Sequence, residues 1–316
     1  MPWVVSIGIF IYLLNKISIT DVYAASADVN LWFFVPIIFL GNVLYLAWDV
    51  VVFTLLFKEI KVMVSYRDML VVRAAVLLLN IVNYFIGAGS VALVVNRWKK
   101  IPISKTVSVV FFKLFIEYHA VLALCLVTAF HIPGIDLKFF LSGSDVGNFI
   151  RFIVLSWVGF GAILSFFHLV LPRINGLKKI KHSKTLSMFR DVKPFNQILY
   201  IVLQTTGFFL FDILIVFFAL LIFGLRIEFL YFIAFFPLVR LIEAIPISVM
   251  GLGTSQMAMI WLLTPLVDSS AEKSTVVASI VAFSLLVTLF SNLSRFAIGA
   301  VGVKWLPENV WESRGT

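Results

Sequence analysis

Long unbroken apolar runs dominate the chain, and short clusters of charged residues separate them. Seven runs approach or exceed the ~20 residues that a helix needs to cross ~30 Å of hydrocarbon: 31–57, 70–95, 107–130, 149–171, 198–223, 229–250 and 276–303. Two shorter ones, 3–14 and 257–267, cannot cross alone. Residues 17–29, ISITDVYAASADV, are too polar to span and predict a segment lying at the interface. Inside a bilayer each backbone amide must be satisfied within its own segment or in a closed barrel, and these runs are far longer than the ~10-residue alternating strands of a barrel. The pattern predicts an all-α, polytopic integral membrane protein of about eight membrane segments. The opening MPWVVSIGIFIYLLNK has a short apolar stretch with small residues after it, as in a signal peptide, but no basic n-region. It is expected to stay as an uncleaved first helix.

Two of the runs carry internal breaks. Run 70–95 contains Gly87-Ala88-Gly89-Ser90, and run 229–250 passes through Ile245-Pro246 into Gly251-Leu252-Gly253 before the short run 257–267. Proline removes an amide donor and glycine permits positive φ or close helix approach, so Gly87, Gly89, Pro246, Gly251 and Gly253 are the expected hinge positions. Helix packing alone would also account for the glycines. Each broken run reads as a re-entrant hairpin, the two entered from opposite faces. Loop charges favour that reading. Lys and Arg number three in 58–68, four in 97–105 and seven in 173–193, with only Lys138 in 131–148. Over all loops through residue 193, Lys16 included, a hairpin at 70–95 places 14 basic residues inside and 2 outside, whereas the best simple-span alternative gives 12 and 4, and basic residues concentrate on the cytoplasmic side.

The halves share marks in the same order: an isolated aspartate (Asp49, Asp212), an arginine (Arg73, Arg240), then glycine (Gly87, Gly251), with Asp-to-Gly separations of 38 and 39 residues. An inverted repeat is expected, with discontinuous helices meeting near the midplane. The expected division is 1–30 for a first helix and interfacial segment, 31–130 for repeat one, 149–171 for a connecting helix, 172–197 for a basic cytoplasmic loop and 198–303 for repeat two.

Composition agrees with the pattern. Of 316 residues, 62% are hydrophobic and 13% charged, with mean hydropathy +1.08, against ~25% charged in soluble domains. The net charge of +9 sits mainly in short loops beside apolar runs, which points to an anionic lipid surface rather than nucleic acid. The single cysteine, Cys125, allows no intramolecular disulfide and no cysteine-based metal site. His119, His131, His168 and His182 lack metal-ligand spacing, and there is no GxSxG elbow, P-loop or GxGxxG fingerprint. No catalytic residue, metal or cofactor is expected. Trp32, Trp98, Trp157 and Trp305 are expected to anchor helix ends at the interface.

A charge at bilayer depth costs about 2.5–3.5 kcal/mol on insertion scales, so each needs a partner or a wet cavity. The set is Asp49, Arg73, Lys113, Glu117, Asp212, Arg240, Glu243 and Arg295. Lys113/Glu117 (i,i+4) and Arg240/Glu243 (i,i+3) share helix faces and can neutralise themselves. Arg73, Arg240 and Arg295, with Glu243, Asp49 and Asp212, are the candidate substrate-binding residues. Guanidinium groups present a planar fork suited to phosphate. The alternative for the arginines is a salt bridge to Asp49 or Asp212 from another helix.

The stretch AIPISVMGLGTSQ, residues 244–256, followed by an apolar run and a last long helix, resembles the signature of the lysylphosphatidylglycerol synthase transmembrane region family of flippase-like membrane proteins. The short first helix, the SITDVYAA segment, Arg73 with Asn83 and the Gly87/Gly89 break before Ile101-Pro102 are also similar to that family, so the resemblance covers essentially the whole chain. It implies movement or presentation of lipids with polar headgroups. The chain departs from the family at two points: members often carry Pro-Gly and a glutamate near the first break and a glutamate where Gln256 stands. The expected function is translocation of a lipid with an anionic headgroup across a prokaryotic plasma membrane, without a cytosolic synthase domain. A different reading is a non-catalytic membrane partner of a lipid-modifying synthase or glycosyltransferase, docked through the basic loop 173–193. A third is a membrane-embedded enzyme acting on a lipid.

Overall fold

The computed structural model describes residues 8–9, 11–12, 15, 18–129, 145–167, 171–173, 183–244, 252–268 and 272–310. Among these, helices account for nearly all regular structure, and four are long and apolar enough to cross a membrane: 31–59, 103–126, 194–222 and 273–304, with mean hydropathies of 1.9, 1.9, 2.4 and 2.2. The all-α membrane class is therefore as the sequence predicts. The segment expected at the interface is helix α1 (Ile19–Ala27), capped by Ser18 and burying none of its residues. Helix α2 (Leu31–Glu59) follows, with Asn30 Oδ1 accepting from the Trp32 amide at 3.2 Å. The chain divides into two compact units, each drawn from several stretches of sequence.

Residues 45–120, 155–207 and 295–316 form one unit. Run 70–95 folds here as a helical hairpin, α3 (Tyr66–Val82) against α4 (Tyr84–Lys99). Arms of 17 and 16 residues are each about 25 Å long. The ends of the hairpin meet: Lys99 Nζ lies 2.5 Å from Asp68 Oδ2. Both basic loops that flank the hairpin thus leave it at one end. The turn, however, is Asn83 rather than Gly87-Ala88-Gly89-Ser90. Asn83 adopts extended backbone (φ −161°, ψ 131°), and its side chain accepts from the Phe85 and Ile86 amides, so one residue both ends α3 and caps α4. Gly87 and Gly89 are helical within α4. At Gly87 the missing Cβ leaves room for the Asn80 side chain and backbone of the facing arm.

Helices α5 (Ile103–Ala129), α6 (Asp145–Ser165), α7 (Ser187–Asp191) and α8 (Pro194–Phe208) also contribute to this unit. Its core centres on Phe53, Phe57, Phe112, Ile116, Met188 and Phe189. The Phe189 ring meets Phe112 and Phe115 edge-on at 5.2 and 5.1 Å. Trp157 lies at mid-helix in α6, 5.4 Å from the His119 ring, rather than at a helix end. The last helix, numbered α12 below (Lys273–Lys304), presents Gly299 and Gly302 to α3. A Cβ at Gly302 would meet the backbone of Ala74 and Ala75. Apolar burial gives little drive inside lipid, so such close small-residue contacts hold helices together by dispersion.

The other unit comprises residues 1–44, 121–154 and 208–294. Here α8 continues through one π-helical turn, Phe209–Ile213, into α9 (Leu214–Ile222). A second hairpin follows, α10 (Phe229–Ala244) packed against α11 (Thr254–Leu263), and then α12. Its base is closed by an antiparallel bridge between Ile227 and Val267, with the Asp268 amide donating to Arg226 O at 2.9 Å. Gly253, at φ +88°, starts α11 in a conformation suited to glycine. Pro246 and Gly251, the other expected break residues, lie outside the described residues. Phe34 packs edge-on against Phe283 and Phe290, while Phe217, Phe229, Phe232 and Phe236 form a second aromatic row.

Candidate functional site

Each unit has a helix aspartate bonded to an arginine on the first arm of its hairpin. In the unit with α3 and α4, Arg73 Nε donates to Asp49 Oδ2 at 2.6 Å, and Lys113 Nζ lies 2.6 Å from Asp49 Oδ1. Lys113 also reaches Glu117 Oε2 at 2.6 Å. Tyr45 and Tyr84 donate their hydroxyls to Glu117, and Gln204 Nε2 donates to the Tyr45 hydroxyl. The cations of Arg73 and Lys113 stand 5.0 and 5.5 Å from the centre of the Phe53 ring. Two cations balance two carboxylates, and the side chains of Asp49, Arg73 and Lys113 are 1%, 9% and 3% exposed. The network is self-neutralised and closed around Asp49, with Glu117, 16% exposed, at its edge. In such a setting removing one charge is costly, while the pairing itself adds little beyond offsetting desolvation.

The unit with α10 and α11 repeats the pair with a different balance. Arg240 grips Asp212 with two parallel bonds, Nε to Oδ2 at 2.9 Å and Nη2 to Oδ1 at 2.7 Å, and its Nη1 donates to Glu243 Oε2 at 2.7 Å. Fork-on-carboxylate pairing fixes orientation as well as charge, and the guanidinium also sits 5.0 Å from the Phe236 ring centre. Asp212 lies in the π-turn, a distortion that recurs at functional sites. Two carboxylates share one guanidinium, and the three side chains are 17–21% exposed. This cluster is accessible and, among the described residues, carries one acid in excess.

The six expected binding residues therefore divide. Asp49 and Arg73 belong to the buried network, Asp212, Arg240 and Glu243 to the accessible cluster, and Arg295 is a partly buried residue of α12 grouped with the first unit. For Arg73 and Arg240 the interhelical salt bridge is what the structure contains, so both guanidinium groups are already ion-paired. Lys113 and Glu117 do pair as i,i+4 spacing suggests, but Lys113 also serves Asp49. Sequence reasoning missed Tyr45, Tyr84 and Gln204. Their signal was a hydroxyl or amide alone in an apolar run, with Tyr84 directly after the turn residue. Among the described residues no group of three His, Cys, Asp or Glu side chains could hold a metal ion. Gln256 caps α11, its Oε1 accepting from the Gly253 amide at 2.7 Å, a role that needs no ionised acid.

A helical membrane chain with two closed-base hairpins, each holding an aspartate of a preceding helix through an arginine on its first arm, is the class that the geometry defines. Residues 2–294 match the lysylphosphatidylglycerol synthase TM region, and the chain belongs to that family. No curated protein and no solved structure matches it.

Proposed function

We propose that the chain is a lipid carrier of a prokaryotic plasma membrane and that Asp212, Arg240 and Glu243 receive the headgroup. One observation carries this reading: the Asp–Arg pair that is charge-balanced and sealed in one unit is acid-rich and 17–21% exposed in the other. Asp212 and Glu243 engage three of the five N–H donors of Arg240, so a lipid phosphate approaches it against two carboxylates and is best received when one of them is displaced. A headgroup that also bears an ammonium gives the displaced carboxylate a new partner, so charge is conserved. The favoured substrate is thus a phospholipid with an amine-bearing headgroup, a narrower class than the anionic headgroup read from sequence. The matched family's name denotes an aminoacylated phospholipid, in keeping with that class.

A hairpin with an Asp–Arg pair in each unit supports the reading of the chain as an internal repeat. With no nucleotide-binding motif in the sequence, movement is passive or driven by an ion gradient. The experiment is reconstitution of the purified chain in vesicles whose inner leaflet contains an aminophospholipid, read by a membrane-impermeant amine reagent outside. Protein-dependent labelling of the inner pool supports the carrier. If no lipid moves, with or without an ion gradient, the carrier reading fails and a non-transporting membrane partner of a lipid-modifying enzyme takes its place.

A further inference from the structure

Helix α10 carries Arg240 and Glu243 on one face and Ile242 on another, about 100° round from Glu243 at 3.6 residues per turn. Ile242 is part of the wall of an open groove of about 510 Å³, formed with α11 and the residues described near the start of the chain. That volume falls within the usual ligand-pocket range of about 300–1,000 Å³. Ile9, Ile242, Met257 and Ala258 supply its apolar surface, and among the described residues no charged side chain lines it. Thr254 and Ala258 are buried at its inner end, whereas Tyr12 and Trp261 are 52% and 62% exposed.

Water cannot fill such a space well, because an ordered water needs two to four polar partners. The surrounding medium of a membrane helix offers hydrocarbon instead. Aromatic residues with one polar end, here Tyr12 and Trp261, are the side chains that favour the zone where acyl chains meet headgroups. Met257 adds an adaptable, unbranched wall.

We infer that this groove holds one acyl chain of a membrane phospholipid. The inference rests on the carrier reading only in placing the chain in a bilayer as a lipid-handling protein. Charge-free lining suits a hydrocarbon tail and rejects a headgroup, while the charged cluster on the other face of α10 does the reverse. One helix thus separates a tail site from a headgroup site.

The test is photolabelling. The purified chain is reconstituted in vesicles of phosphatidylcholine and phosphatidylglycerol containing a phosphatidylcholine with a diazirine on its acyl chain, and adducts are mapped by peptide mass spectrometry. The expected result is adducts concentrated on Ile9, Tyr12 and residues 257–261 and reduced at least fivefold by Gly8→Leu. A Cβ at Gly8 meets nothing within 4 Å, so the added side chain enters open space without a clash at its root. Ala258→Phe blocks the groove from its inner end and serves as the second variant. Adducts spread evenly over exposed positions such as Leu293 and Phe296 of α12, unchanged by either variant, overturn the inference, as do crosslinks showing a second copy of the chain seated there. Groove adducts that persist in a chain that moves no lipid uphold the tail site and sink only the carrier reading. Lipid movement without groove adducts sinks only the tail site.

Discussion

Replacing Lys113 with methionine tests whether the sealed network is a neutralising device. The substitution removes one of two cations facing Asp49 and Glu117, whose side chains are 1% and 16% exposed. Methionine keeps most of the stem's volume, so the cavity contribution is small. Removing one partner of a buried ion pair costs about 3–5 kcal/mol because a charge is left unpaired. Asp49 retains Arg73, and Glu117 retains the hydroxyls of Tyr45 and Tyr84. The expected loss therefore falls at the low end, about 3 kcal/mol. Adding Glu117→Gln restores the balance to one cation and one carboxylate and keeps an oxygen acceptor for the tyrosines. The double variant should recover about 1–2 kcal/mol relative to Lys113→Met, within the range for residues in contact. Unfolding of wild type, both single variants and the double variant in mixed detergent micelles, titrated with dodecyl sulfate and followed by tryptophan fluorescence, measures the coupling. Strictly additive losses would refute the reasoning, because Lys113 would then not be neutralising Glu117.

Four further outcomes follow from the helix contacts. Gly302→Ala drives a Cβ into the α3 backbone and should cost about 1–3 kcal/mol in the same titration, whereas Gly89→Ala, where a Cβ meets nothing within 4 Å, should be neutral or stabilising by up to about 1 kcal/mol. Asn83→Ala removes the cap of α4 and should cost about 1 kcal/mol. Cysteines introduced at exposed Met63 and at Lys100 should react with an impermeant maleimide from the same side of the membrane; labelling from opposite sides would contradict the hairpin. The Asp68 carboxyl at the hairpin base is held below its ordinary value: burial opposes ionisation, but hydrogen bonds from Lys99 and Ser65 outweigh it. Because the folded-state value is the lowered one, the contribution is complete at pH well above 3.8 and fades as pH falls through the lowered value. The stability difference between wild type and Lys99→Met should therefore be about 0.2–1 kcal/mol near pH 6 and vanish in stronger acid.

Much of the helix plan was legible because hydrocarbon imposes length and continuity on every crossing segment. Run 31–57 became Leu31–Glu59 and run 276–303 became Lys273–Lys304 with end shifts of only a few residues. The hairpin at 70–95 was also legible, through loop charge rather than helix signals. Its turn was not, because glycine marks both flexible backbone and close helix contact. Gly87 serves the second purpose, while Asn83 turns the chain by capping. The charged residues were easy to pick out, since each is expensive in lipid, but their partners come from other helices. No spacing rule shows that Lys113 bridges Asp49 and Glu117, or that Asp212 and Glu243 share Arg240. The acid excess that now directs the functional reading is a tertiary property.

The central claim is that the Asp212–Arg240–Glu243 cluster receives an amine-bearing headgroup. Its most direct measurement compares the rate at which inner-leaflet aminophospholipid becomes reactive outside vesicles holding wild type, Asp212→Asn or Arg240→Ala, with phosphatidylglycerol movement followed in parallel. The account predicts faster movement of the amine lipid than of phosphatidylglycerol, and at least a tenfold loss in both variants that leaves the folded fraction intact. Movement of the amine lipid at the wild-type rate in folded Asp212→Asn and Arg240→Ala, or equal movement of both lipids, would contradict it.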